Sequence, residues 1–183
     1  MYKKICNILD EFDEQVILVG HSMGGIVISQ VAEERPQKIK KLVYLTAYLL
    51  QDGESIIQAF QEDKDSLLRN YIAMSDDGSL FTLKEEGLNV LYPDVSDEDI
   101  ERIKKFNKPQ PALLSATPVN LSEENYGSIS RIYIECKNDH AITPTVQKDM
   151  YTKMPCDKVL TLETSHAPNY AAPEKVVECL LNC

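Results

Sequence analysis

No apolar run in this sequence approaches the roughly 18 residues that a membrane-spanning helix needs. No transmembrane segment is therefore read. Positive charge is also in short supply. Nineteen lysines and arginines stand against 29 aspartates and glutamates, for a net charge of −10 and a pI near 4.8. A nucleic acid or an anionic membrane would want a basic face, so neither is expected as a partner. The acidity reads as a solvated surface. The cysteines Cys6, Cys136, Cys156, Cys179 and Cys183 are odd in number, widely spread and without C-x-x-C spacing. That pattern indicates neither a zinc site nor a disulfide framework. Met1-Tyr2-Lys3-Lys4-Ile5 runs into acidic residues and not into an apolar stretch, so no secretory signal is read. Reduced thiols in a cytoplasmic protein are the expectation. Internal repeats and low-complexity tracts are absent. Histidine is scarce too: only His21, His140 and His166 can supply an imidazole.

What remains is ordinary globular material. The chain has 183 residues, 43% apolar and 26% charged, enough for one domain with its own core. Its organising stretch is Val16-Ile17-Leu18-Val19-Gly20-His21-Ser22-Met23-Gly24-Gly25. Four apolar residues read as a buried strand without a polar face. A glycine-rich break follows, and Ile26 to Glu34 reads as a helix. A strand, a tight turn and a helix with serine at the centre is the setting of a G-x-S-x-G nucleophile elbow. Ser22 would sit at the apex in a strained conformation with its hydroxyl exposed. Gly20 and Gly24 are expected to avoid collisions as the chain reverses. The helix behind Ser22 would aim free N–H groups at developing negative charge. The same pentapeptide also serves in phosphate cradles and in plain packing, so the rest of the chain must supply an acid and a base.

Around this stretch the pattern alternates. Tyr2 to Phe12 has helical spacing, and after Pro36 a second buried strand runs from Leu42 to Thr46. Strands alternating with helices imply a parallel sheet with right-handed crossovers. Residues 51 to about 127 break the rhythm. There Glu54 to Tyr71 reads as a charged helix, Ser75 to Ser79 as a turn and Phe81 to Leu83 as a short strand. A helix opens at Ser96, with Ser96 as N-cap and Asp99 at its third position, and ends before Pro109 and Pro111. This block is expected to be a helical cap insertion, either a lid beside the nucleophile or an excursion covering core. The sheet pattern then returns as strands Arg131–Cys136 and Lys158–Leu162, each followed by a loop and a helix. The expected fold is α/β, a mostly parallel sheet flanked by helices.

In an open parallel sheet, functional groups collect where loops leave the carboxyl ends of strands. Three such loops carry Ser22, Asp139 and His166, in the chain order serine, acid, histidine. Ser22 needs a base, His166 would take its proton and return it, and Asp139 would hold the imidazole. Among the other histidines, His21 is expected to point away from Ser22 and to pack. His140 directly follows Asp139, where adjacent side chains rarely face each other. Glu135 and Glu163 are the rival acids, or else surface charge.

The segments Leu18–Gly25, Leu42–Ala47, Tyr133–Asp139 and Ser165–Pro168 together resemble the α/β-hydrolase superfamily, and within it the salicylate esterase, plant methylesterase and hydroxynitrile lyase group. The resemblance spans nearly the whole chain. It implies a partial α/β-hydrolase fold and an esterase acting on small carboxylic esters. Ser22, Asp139 and His166 would form the triad, the Met23 N–H would be an oxyanion donor, and no metal or cofactor is implied. The middle block would cap an apolar pocket. The lyases of this group carry lysine after the catalytic histidine; here Ala167 stands there, which favours ester hydrolysis over the lyase alternative. Members also begin with further strands and an H-G-x-W-like loop, which supplies a second oxyanion donor. That segment is not found here. The expectations are then a truncated product, a domain that covers its first strand by forming a homodimer, or a noncatalytic ligand-binding remnant.

Overall fold

The computed structural model describes residues 2–183. The opening residues form helix α1 (Tyr2–Asp10), strand β1 (Val16–Ser22), helix α2 (Gly24–Glu34) and strand β2 (Ile39–Ala47). After them comes the expected excursion. It contains α3 (Ile56–Glu62), β3 (Ile72–Met74), β4 (Leu80–Leu83), α4 (Leu88–Leu91), α5 (Asp97–Lys104), β5 (Gln110–Pro111) and α6 (Ala112–Ala116). The chain then returns to the main sheet through β6 (Arg131–Cys136), α7 (Pro144–Lys153), β7 (Lys158–Leu162), α8 (Pro168–Ala171) and α9 (Pro173–Leu181).

The main sheet is parallel throughout, in the order β1-β2-β6-β7. Its two central strands are apolar on both faces because helices cover both. Leu42, Tyr44 and Tyr133 pack with α1, α2 and α7 residues such as Leu9, Val31 and Met150. Val43, Leu45, Ile132 and Ile134 face the other way and pack with Val176 of α9. The alternation is the period-two geometry of a strand. A hydrogen-bonded set (Ser29, Tyr44 and Tyr126) ties α2 to the sheet inside the first layer.

β1 departs from the buried strand expected there. Ile17 and Val19 are each 44% exposed. They lie on the face that α9 covers further along the sheet, and among the described residues β1 has a neighbour on one side only. Their apolar side chains reflect strand propensity without burial.

The inserted block is less helical than expected. The charged run from Glu54 to Tyr71 breaks after Glu62, because buried Asp63 turns its carboxylate onto Thr143. The chain then makes a short 3₁₀ turn over Leu67–Asn70. The block also contains a small antiparallel sheet, β3-β4-β5. Its hairpin turns where Asp77 accepts hydrogen bonds from Ser75 and Ser79, with Gly78 at φ +68. Only the strand near Phe81 was legible, since two- to four-residue strands are too short to show alternation. The Ser96 cap is as expected: its hydroxyl accepts the Asp99 N–H.

Candidate active site

β1 ends in a strained turn. Ser22 has φ +55, a left-handed conformation that a non-glycine residue holds only under constraint from its surroundings. Part of that constraint is visible in the Tyr48 N–H, which donates to the Ser22 carbonyl at 3.1 Å. Met23 follows as the N-cap of α2, so the helix starts directly behind the serine. Of the two glycines expected to be needed, one is. A Cβ on Gly20 would lie 2.8 Å from the Gly24 carbonyl oxygen. A Cβ on Gly24 would meet nothing within 4 Å, which corrects that expectation. The crowded position is Gly25, where a Cβ would fall 2.2 Å from the Tyr48 carbonyl oxygen. The helix is pressed against the segment after β2, and that long-range contact has no local signal.

Three residues expected from separate loops are brought together. His166 Nε2 lies 2.9 Å from Ser22 Oγ, and His166 Nδ1 lies 2.7 Å from Asp139 Oδ2. Asp139 is 1% exposed and His166 is 3% exposed. With Nδ1–H donating to the carboxylate, Nε2 carries the lone pair that faces the serine hydroxyl. Asp139 also accepts from the Ala141 and Ile142 N–H groups at 2.7 and 3.0 Å, and from Thr46 Oγ1 at 2.5 Å. Burial alone would raise its pKa. The charge interaction and hydrogen bond with His166, helped by Thr46 and the Ala141 N–H, outweigh burial and hold it below the ordinary carboxylate range.

Thr46 was missed by sequence reading. It is fully buried at the end of β2 with φ +37, an outlier for a β-branched residue. A threonine closing a buried strand beside the site is the only hint in the sequence. The structure places His21 against His166: its ring centroid is 4.9 Å from that of His166, and its Nε2–H donates to the His166 carbonyl at 2.7 Å, a bond that sequence reading did not foresee. Desolvation, and then the neighbouring His166, push its pKa down to about 4. His21 is therefore a neutral donor that holds the His166 backbone.

The alternatives are placed elsewhere. His140 is exposed. Glu163 is exposed as well. Glu135 is not surface charge: it is buried at 5% exposure and engaged by Lys137, Tyr151 and Thr161. Among the described residues no group of three or more His, Cys, Asp or Glu side chains is arranged to hold a metal ion.

Ser22 and His166 open onto a cavity of about 540 Å³ beneath the inserted block. Its walls are largely apolar, with Met23 and Tyr48 from the sheet side and Ile56, Phe60, Phe81 and Leu91 from the block. Buried apolar cavities with a few convergent polar groups are the usual form of small-molecule sites.

Comparison with known proteins gives this geometry a family. The model of the alpha/beta hydrolase family matches residues 2–179. The chain belongs to the alpha/beta hydrolase family. It is 30% identical to Methylesterase 1 of Arabidopsis thaliana, over 92% of this chain and 69% of that protein. It is 31% identical to a Pyrethroid hydrolase of Sphingobium wenxiniae, over 97% of this chain and 66% of that protein. The crystal structure of a pyrethroid hydrolase from Sphingobium faniae superposes with a TM-score of 0.88 at 29% identity, covering 98% of this chain and 74% of that one. The chain spans about half the length, or less, of the first curated relatives it matches, 49% of one and 40% of another. No described helix of this alpha/beta hydrolase is long and apolar enough to cross a membrane.

Proposed function

We propose that this chain hydrolyses small carboxylic esters with an apolar portion, through an acyl-enzyme on Ser22. One observation carries the proposal: a continuous hydrogen-bonded path from Ser22 Oγ through His166 to Asp139, opening onto an apolar cavity. In this reading His166 Nε2 takes the hydroxyl proton as Ser22 Oγ attacks the ester carbonyl. The tetrahedral oxyanion forms beside the start of α2, where the Met23 N–H serves as a donor. Collapse expels the alcohol, which leaves with the proton held by His166. Water then repeats the sequence on the acyl group and frees Ser22. Asp139, anchored by four donors, keeps the imidazole in the required tautomer and stabilises its charged form. The apolar walls suit an aliphatic or aromatic group on the ester. The names of the relatives, methylesterase and pyrethroid hydrolase, support ester hydrolysis as the reaction class. Ala167 in place of lysine after the histidine favours hydrolysis over cyanohydrin cleavage.

The test is intact-mass analysis after treatment with a fluorophosphonate, with Ser22→Ala alongside. One adduct on the native chain, absent from the variant, is the expected result, together with turnover of p-nitrophenyl esters lost in the variant. A folded chain that takes no adduct would overturn the esterase reading in favour of a ligand-binding domain.

A further inference from the structure

Hydrogen bonds leaving the inserted block converge on the two loops that hold His166 and Asp139. Asp94, in the turn between α4 and α5, accepts the Ser165 N–H at 3.1 Å, and its other oxygen accepts the Ser165 hydroxyl. Ser165 is 1% exposed and immediately precedes His166. Asp63, buried at the end of α3, accepts the Thr143 N–H at 2.9 Å and the Thr143 hydroxyl at 2.8 Å. Next to it, Ser66 Oγ donates to the Ala141 carbonyl at 2.8 Å, and the Leu67 N–H donates to the His140 carbonyl at 2.9 Å. Ala141 is one of the residues whose N–H groups orient Asp139. The two loops are themselves joined, since the Asn138 N–H donates to the Thr164 carbonyl at 3.1 Å.

A carboxylate that accepts both the N–H and the hydroxyl of one residue fixes that residue's orientation, and charge-assisted bonds of this kind are about twice as strong as neutral ones. The block does this twice, once on each loop. An apolar cover over the cavity would need no such contacts. Asp94 is itself a solvent-exposed residue, although the Ser165 groups it accepts from are buried.

We propose that Asp94 and Asp63 are positioning residues, and that the block between β2 and β6 is a clamp that sets His166 and Asp139 for reaction. For its effect on turnover the proposal rests on the esterase reading.

The decisive variants are Asp94→Ala and Asp94→Asn, with Ser165→Ala deleting only the hydroxyl bond and Asp77→Ala as a control elsewhere in the block. Two readouts apply to the purified chain: hydrogen exchange of segment 163–168, and kcat and KM with p-nitrophenyl butyrate. Asp94→Ala is expected to accelerate exchange at least about tenfold. It should lower kcat about 10²-fold, the effect of roughly 1 Å of misplacement, with KM within about threefold. Asp94→Asn and Ser165→Ala should fall between, and Asp77→Ala should match the native chain. Native exchange in Asp94→Ala overturns the clamp. Accelerated exchange with unchanged kcat, or a loss confined to KM, overturns it too. A native chain without turnover sinks the esterase reading alone, and exchange then decides the clamp. If Asp94→Ala does not fold, Ser165→Ala decides by the same criteria.

Discussion

At the scale of single residues, the site depends on backbone positions that side-chain chemistry does not announce. Gly25 is the clearest case. Gly25→Ala would drive a methyl group into the Tyr48 carbonyl, and such overpacking should cost at least about 2 kcal/mol in urea denaturation. Gly24→Ala, in open space at the start of α2, should instead change stability by less than about 1 kcal/mol, in the stabilising direction. His21 supplies a pH dependence. Its folded pKa of about 4 lies below the ordinary 6.5, so the unfolded chain binds the extra proton first. Stability from this residue is therefore full above about pH 6.5 and falls as pH drops toward 4. Carboxylates such as Asp139 and Glu33, held below their ordinary values of 3.8 and 4.5, begin to lose their contribution only as pH falls to about those values, below the pH 5 of the comparison that follows. Urea denaturation at pH 7 and pH 5 should show less stability at the lower pH. His21→Gln, which still donates but does not titrate, should remove most of that difference.

At the scale of elements, α2 does more than present Ser22. Near its last turn, Glu33 accepts the N–H and hydroxyl of Ser122, the Asn125 amide and the Tyr126 N–H. Burial would raise its pKa, but these bonds from Ser122, Asn125 and Tyr126 prevail and lower it. They fasten the segment that returns the chain from the inserted block to β6. Glu33→Ala would leave several donors without partners and should cost about 1–3 kcal/mol at pH 7 by urea denaturation. A much smaller change would mean that water replaces the carboxylate at no penalty. Neither this docking nor the Asp63–Thr143 pair follows from periodicity, because each joins residues far apart in sequence.

At the scale of the whole molecule, the apolar side chains of β1 are only half covered. Ile17 and Val19 lie on a strand that pairs with β2 alone among the described residues. An uncovered apolar strand is a template for pairing with another chain. A dimer formed through this strand is the expected outcome. Light scattering after size exclusion should detect a dimer, and Ile17→Lys with Val19→Lys should convert it to a monomer. A monodisperse native monomer would reject the association.

The alternation of strands and helices, the parallel sheet and the three loops that carry Ser22, Asp139 and His166 were legible before any fold was seen. These follow from local rules, since strand and helix periodicity, turn chemistry and the order of motifs are all written within short windows. Tertiary structure alone decided that Gly25 and not Gly24 is sterically required, that Thr46 serves Asp139, and that His21 holds the His166 backbone. It also decided that Glu135 is internal and that β1 is half exposed. The inserted block shows the same division: its Ser96 cap was legible, but its small sheet and its bonds to the two loops were not. The physical reason is range. A hydrogen bond between Asp94 and Ser165 spans 71 positions, and nothing in either residue's own neighbourhood specifies the other until the chain has folded.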